Sequence, residues 1–438
     1  MSGTKRGLPA SLTMSGGVGP FKRNEWYDHP EHQPRVPLHK TPTPSLTVAQ
    51  KAVDGDFVRR MVLGTGSFAK VIMVDKVNGS DKGKTYAMKV LNKKKILQQK
   101  QATHTMTERR VLGKTFDHPF IVSLKYAYQT KSTLNFVMDF CAGGELYYHM
   151  TRNGRFSLER STFYTAELLL ALEYLHSFNV VYRDLKPENV LVATDGHIKL
   201  ADFGLSKEGI IDDCTGADTF CGTPEYLAPE ILHRQAYGTA VDWWSLGMLT
   251  FEMLTGLPPW YSKNRQVMFQ GICFGELQFP ANGSVSSSAQ DFISGLLIRD
   301  PRRRIEKVQN LKKHIFFSEM NFDDLVAKRI SPPWIPERNK LYFDSLYTRL
   351  PYEDLIDQTL VVNELSTVSP LFPSSFVDKA FNGFSYTAPT SISTLNNQES
   401  KDDETASASR SCTPVESTVD DMHDDCFGQF NLELDENM

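Results

Sequence analysis

What the 438-residue chain lacks narrows it first. No apolar run approaches the roughly 20 residues of a membrane-spanning helix. No charged, apolar and small-residue signal pattern opens it, and position 2 is Ser2 rather than the glycine that myristoylation requires. A secreted or membrane-anchored protein is therefore not expected, and the location that follows is cytoplasmic, with the nucleus as a further compartment. Cysteine is scarce. The six thiols, Cys141, Cys214, Cys221, Cys273, Cys412 and Cys426, form no CxxC pair and no metal-ligand spacing. Neither a disulfide framework nor a zinc site is expected, and the thiols should be reduced.

Charge is low overall and unevenly placed. The net charge is -4, yet residues 399–438 hold twelve acids against Lys401 and Arg410, so the remainder is mildly basic at +6. Nothing in that balance calls for a nucleic-acid partner. Residues 1–55 are rich in Pro, Gly, Thr and Ser and include the run Thr41 to Ser45. They read as a disordered leader, and residues 391–438 as an acidic disordered tail. With 40% hydrophobic residues, the part between can bury a sizeable core.

The stretch around which that part is organised runs from Val180 to Lys207, VVYRDLKPENVLVATDGHIKLADFGLSK. Arg183, Asp184, Lys186 and Asn189 crowd one short loop. The apolar run Val190 to Val192 leaves it, a turn at Asp195-Gly196 reverses the chain, and Ile198 to Ala201 lead back to Asp202. A hairpin returns its open ends to each other. Asp184, Asn189 and Asp202 should therefore share a site with hard oxygen donors that suit Mg²⁺.

Upstream, from Phe57, short apolar alternations predict three antiparallel strands, FVRRMVLG, VIMVDKV and TYAMKVL. Between the first two lies a glycine-rich turn, Gly64-Thr65-Gly66-Ser67-Phe68-Ala69, whose backbone amides can approach phosphates because the glycines carry no side chain. Lys89 stands among apolar neighbours on the third strand and needs an acid. Glu108 offers one, on a predicted helix Thr103 to Leu112 where His104, Glu108 and Leu112 share a face. A further strand covers Leu134 to Met138. Two apolar helices, Leu158 to Ser177 with Ser157 as N-cap and Val241 to Thr255, should form the centre of a second, helical lobe.

The series YRDLKPEN, DFGLSKE and DTFCGTPEYLAPE, with Phe381-Asn-Gly-Phe384-Ser385-Tyr386 near the end, resembles the AGC group of serine/threonine protein kinases, near protein kinase B, the serum- and glucocorticoid-regulated kinases and the ribosomal-protein kinases. Tyr182 replaces the usual histidine before Arg183-Asp184, and Ala69 the third glycine of the turn. The resemblance implies an α+β, bilobal kinase fold: a kinase domain at 56–317, with a small β lobe at 56–138 and a large, mostly helical lobe at 142–317, then a regulatory tail at 318–390. It implies phosphoryl transfer from ATP with Mg²⁺. Asp184 would orient and deprotonate the acceptor hydroxyl, Lys186 would steady the γ-phosphate, and Asn189 and Asp202 would hold the metal. Lys89, oriented by Glu108, would hold the α and β phosphates. The nucleotide would also lie against Leu63, Gly64, Thr65, Gly66, Ser67, Phe68, Val71, Ala87 and Leu191, past the gatekeeper Met138, with adenine on the backbone of Asp139 to Cys141.

The same resemblance places Glu145, Glu188 and Glu252 where arginines upstream of the acceptor would bind, and Phe220, Pro224 and Leu227 around the residue after it. Protein substrates with basic motifs are implied, as are upstream activating kinases and a monomeric chain. Thr219 is the expected activation-loop phosphosite, its phosphate received by Arg183, Lys207 and His104. Ser369, with Thr367 as competitor, and Ser385 are expected tail phosphosites, and Phe381 and Phe384 should dock on the small lobe with help from Gln129. Glu230 should pair with Arg304. A scaffold that binds without catalysis would be expected to lack one of Lys89, Asp184, Asn189 or Asp202, and all four are present. A kinase of small molecules would have no use for the long loop or the aromatic tail.

Overall fold

The computed structural model describes residues 51–66, 69–115, 118–308, 310–350 and 374–389. Ser67, Phe68, Thr367 and Ser369 lie outside them, as do residues 1–50 and the acidic segment 391–438.

A six-stranded antiparallel sheet dominates the first part, built from β1 Phe57–Thr65, β2 Ala69–Lys76, β3 Thr85–Asn92, β4 Leu124–Gln129, β5 Thr133–Asp139 and β8 Tyr386–Thr387. Its order is β1-β2-β3-β5-β4-β8, so the last strand comes from some 250 residues further along the chain. Val62, Ile72, Val74, Met88, Phe136 and Val137 are sealed on this sheet. Residues 51–55, expected in the leader, already belong to it: a 3₁₀ turn spans Asp54–Asp56, and Ala52 is buried. Two helices lie between β3 and β4, α1 Lys93–Gln98 and α2 Ala102–Lys114.

The helical part is organised on two long helices. The first two of its helices are α3 Leu146–Asn153 and α4 Leu158–Ser177, and the side chain of Ser157 caps α4 by accepting the amide of Arg160. The hairpin of β6 Val190–Val192 and β7 Ile198–Leu200 lies against α4. Then come α5 Pro229–Leu232 and α6 Ala240–Thr255, which is buried over nearly its whole length. Around them lie α7 Arg265–Phe274, α8 Ser287–Leu296, α9 Pro301–Val308 and α10 Phe322–Val326. Their inward faces, with Trp244, Phe292 and Leu296, merge with the apolar side of α4 into one core. Two short helices, α11 Ser345–Thr348 and α12 Ser374–Ala380, belong to the tail.

Candidate active site

The hairpin brings its two ends together as expected. Val190 pairs with Leu200, and the amide of Ala201 donates to the carbonyl of Asn189 at 2.8 Å. Asp202 and Asn189 therefore leave adjacent strands side by side. Asn189 donates its amide nitrogen to Asp184 Oδ2 at 2.9 Å and to the Asp184 carbonyl at 2.8 Å. Asp184 also accepts the hydroxyl of Thr223 on Oδ1 at 2.9 Å and faces Lys186 Nζ at 3.1 Å, while Lys186 donates to Thr223 at 2.8 Å. Thr223 thus ties the catalytic loop to the long loop that follows.

Asp242 anchors the loop from beneath. It is fully buried on α6 and accepts the backbone amides of Tyr182 at 2.9 Å and Arg183 at 2.8 Å, and its Oδ2 also faces His176 Nε2 at 2.7 Å. The sequence offered one signal for it, a lone carboxylate in the apolar run VDWWSLG. Tyr182, at the usual histidine position, is sealed against Phe203, and its hydroxyl donates to the carbonyl of Ala201. Arg183 and Asp202 have φ of 71° and 53°. Both residues are held in the left-handed region, a strained conformation that the surrounding hydrogen bonds maintain.

Lys89 crosses from the sheet to meet this loop. Its ammonium donates to Glu108 Oε1 at 2.7 Å and to Asp202 Oδ1 at 3.3 Å. Burial alone would lower the Lys89 pKa, but the charges of Asp202 and Glu108 hold it well above the ordinary lysine value. Lys89 holds Asp202 below the usual carboxylate range. A permanent cation and a permanent anion therefore face one another. Asp202 keeps 53% of its side chain exposed and so remains open to a further cation.

On the sheet side, Leu63 is buried, Gly64 pairs with Val71, Val71 with Lys89, and Ala87 with Met138. The described ends of the glycine-rich turn are joined by the amide of Gly66 donating to the carbonyl of Ala69 at 2.7 Å. Asp139 spends its carboxylate on Lys199 at 2.9 Å and Lys125 at 3.4 Å, which leaves only its backbone for a ligand. Cys141 is buried, and burial pushes its thiol up to about 12. Leu191 is half-buried on the hairpin opposite Lys199.

Comparison with known proteins decides what this arrangement belongs to. Residues 57–317 match the protein kinase domain family. The chain is 45% identical over 355 residues to serine/threonine-protein kinase Sgk1-A of Xenopus laevis, covering 79% of this chain and 78% of that one. It is 42% identical over 381 residues to human Sgk1, covering 82% and 85%, and 42% identical over 350 residues to human Sgk2, covering 78% and 91%. The chain belongs to the serine/threonine protein kinases of the AGC group.

Kinases of this family use ATP with Mg²⁺, and the donor set fits that pair. Among the described residues no cluster of three or more His, Cys, Asp or Glu could hold a metal alone. Asp202 and the amide of Asn189 supply two hard oxygen donors, and a small cation bound there would complete its shell with phosphate oxygens and water, as Mg²⁺ commonly does. Once bound, the metal would neutralise charge on the transferring phosphate.

The kinase carries its acids on one surface. Glu145 and Glu188 are exposed, and burial raises the Glu145 carboxyl with help from the negative charge of Glu188. Glu252, half-buried on α6, accepts the hydroxyl of Tyr226 and is pushed up to about 7, first by burial and then by the charges of Glu188 and Glu225. Glu145, with Lys186 nearby, Glu188 and Glu252 together form an acidic region that favours an arriving cation. Beside it Leu227 is buried, Phe220 and Pro224 are half-buried, and Arg234 lies 5.7 Å from the Phe220 ring centroid.

Around Thr219 the loop is tied through its backbone. Tyr237 donates its hydroxyl to the Thr219 carbonyl at 2.7 Å, and Arg183 donates to that same hydroxyl at 3.0 Å. Lys207 faces Asp218, one residue before Thr219, at 3.9 Å. His104 pairs with Gln101, the residue that precedes α2, at 2.8 Å. Tyr237, invisible as a site residue in the sequence, thus joins Arg183 to the loop. Glu230 and Arg304 form a fully buried bidentate pair at 2.7 and 3.1 Å.

The tail reaches the small sheet. Phe381 and Phe384 are both sealed, Phe384 lies edge-on to Phe136 at 5.0 Å, and Gln129 donates to the Phe381 carbonyl at 3.3 Å. Arg109, next to Glu108 on α2, donates to the Phe384 carbonyl at 3.0 Å. Ser385 remains exposed, and Tyr386 and Thr387 pair with Ala127 and Tyr126. Further back, Phe343 stacks 6.0 Å from Phe140, beside the segment expected to hold adenine.

Proposed function

We propose that this kinase transfers the γ-phosphate of ATP to serine or threonine in proteins that carry arginine three residues before the acceptor, and that phosphorylation of its own long loop and tail raises its rate. The observation that carries the reading is the convergence of Lys89, Asp184, Asn189 and Asp202 on one cleft beside the acidic surface of Glu145, Glu188 and Glu252.

Asp184 accepts hydrogen bonds from Asn189 and Thr223, which aim its carboxylate toward an acceptor hydroxyl. It can hold that hydroxyl and take its proton as the oxygen attacks. Lys186, already within reach of Asp184 and Thr223, is placed to neutralise a phosphate between them. Lys89, kept cationic by Glu108 and Asp202, grips the remaining phosphates. Positioning and charge neutralisation, rather than covalent chemistry, supply the acceleration. Arginine is favoured over lysine in the substrate because its planar fork can engage a carboxylate through two hydrogen bonds.

Phosphate on Thr219 would add about -1.5 to -2 charge next to Arg183 and Lys207, and phosphate on Ser385 would add to a tail already seated on Arg109 and Gln129. Upstream kinases are thus partners, and a cytoplasmic or nuclear location suits them. The deciding assay compares phosphorylation of two peptides that differ only in Arg or Ala at the third position before the serine. A kcat/KM advantage of about 10-fold or more for the arginine peptide is expected, together with loss of the activated rate in Thr219→Ala. Equal turnover of the two peptides overturns the substrate reading.

A further inference from the structure

Behind the catalytic hairpin lies a buried acid and base that touch none of the groups assigned above. Glu167, on α4, is fully buried, and His197, in the turn that opens β7, is 3% exposed. Glu167 Oε1 lies 2.5 Å from His197 Nδ1, and Oε2 accepts the backbone amide of Ile198 at 2.8 Å. We propose that Glu167 and His197 form a positioning strut that fixes the closed end of the catalytic hairpin on α4 and so sets the placement of Asn189 and Asp202 at its open end.

The hairpin needs such a support. Its strands are three residues each, and an isolated pair of that length is marginal in water. One edge of β7 is held by the ladder to β6, and the other by Phe120 and Val122, which exchange backbone hydrogen bonds with Leu200 at 2.9 Å. Neither restraint fixes how far the turn stands from α4. Glu167 does, because its two oxygens grip consecutive residues of the chain. The imidazole packs at a tilt against Phe120 and Phe163, with interplanar angles of 32° and 35° and centroids 5.9 and 5.7 Å away. Only four residues, Ile198 to Ala201, separate His197 from Asp202, so a shift at the turn would reach the metal-binding end through a stiff ladder.

A buried carboxylate is an expensive way to hold a strand unless its hydrogen bonds are strong. Among the described residues, the charged groups that act on the pair come from the hairpin turn and from the chain just after α10. Lys328, just after α10, pairs with Asp195 of the turn at 2.8 Å and attracts Glu167, and Asp195 is drawn toward both Lys328 and His197. Tyr164, one turn back on α4, is the remaining titratable neighbour. Burial lifts the Glu167 carboxyl to about 7, against the opposing pull of His197, the Ile198 amide and Lys328. Above that pH the carboxylate is charged and both bonds are charge-assisted; below it the grip weakens. The rate of the chemical step should therefore rise with pH through about 7.

The inference rests on Asn189 and Asp202 as metal ligands, which Asp202→Ala tests by itself: it should abolish Mg²⁺-dependent ATP binding in calorimetry. For the strut, full-length Glu167→Ala is compared with Glu167→Gln, which keeps an acceptor for Ile198 and an amide toward His197. In Glu167→Ala, kcat should fall about 10- to 100-fold with peptide KM unchanged. The Mg²⁺ concentration for half-maximal ATP binding should rise, and the Ile198 amide should exchange faster with deuterated water. Glu167→Gln should recover most of kcat and lose the rise through pH 7. If Glu167→Ala does not fold, His197→Phe, which keeps a ring between Phe120 and Phe163, should show the same fall. A folded variant of either kind that keeps the native kcat and Mg²⁺ dependence overturns the proposal, as does native-like pH dependence in Glu167→Gln.

Discussion

Glu252 carries a carboxyl whose pKa is raised to about 7 by burial and by neighbouring acids, and if it receives a substrate arginine as proposed, the consequence falls on substrate binding rather than on chemistry. A raised acid pKa means that the free enzyme loses this negative charge as pH falls through about 7. An arginine substrate then meets a neutral partner. KM for an arginine-bearing peptide should rise by up to about tenfold between pH 8 and pH 6, a unit of pKa being a tenfold change in the ionised fraction. Glu252→Gln should show a high KM that no longer varies over that range. Steady-state kinetics at four or five pH values separates the two: a native-like pH profile in Glu252→Gln assigns the effect elsewhere. The distinction from Glu167 is the parameter that moves, KM for Glu252 and kcat for Glu167.

At the scale of elements, α2 joins three regions of the kinase. Glu108 holds Lys89, Arg109 reads the Phe384 carbonyl, and Arg110 and Lys114 both pair with Glu208 at the start of the long loop, at 2.8 and 2.7 Å. The tail strand β8 stabilises this arrangement by adding to the open edge of β4 while Phe381 and Phe384 fill the space beside it. Truncating a buried phenylalanine to alanine costs about 3–5 kcal/mol when the site cannot collapse. Applied to a short docked segment, that loss should release it. Phe384→Ala should lower kcat and speed amide exchange in residues 124–129, while the melting temperature of the helical part stays near native. Unchanged exchange at Tyr126 and Ala127 would show that the tail holds without its phenylalanine anchor.

At the scale of the whole molecule, Arg304 and Glu230 tie α9 to α5 across the core. Arg304 is fully buried, and besides Glu230 it donates to the carbonyls of Ile298, Ala240 and Arg299 at 2.9, 2.9 and 3.1 Å, so every donor has a partner. Removing one member leaves the other charge buried and unpaired, which costs about 3–5 kcal/mol. Arg304→Met should lower the urea midpoint accordingly, and the double variant with Glu230→Leu should recover much of the loss. An additive double variant would show that the pair is not coupled.

Much of the frame was legible because local patterns have local causes. The helix Leu158–Ser177 was placed to the residue by its N-cap and apolar repeat, and the first three strands by their alternation to within a residue or two. The short strand β8 was not, since two residues carry no period and their pairing partner is distant in sequence. The hairpin was readable because its turn, Asp195-Gly196, and its apolar arms are contiguous. Asp242, Tyr237 and Glu167 escaped notice for the opposite reason: each acts on a residue 18 to 60 positions away, and nothing beside it in the chain marks that partner.

The order of chemical groups along Val180 to Lys207 was enough to bring two acids and an amide together, because a tight turn leaves the ends of a hairpin no other place to go. Which charges are paired, which are left facing solvent and which are shifted toward neutrality was settled only by the packed fold. Desolvation depends on what surrounds a group in space, and for Glu167 and Glu252 those surroundings come from distant parts of the chain.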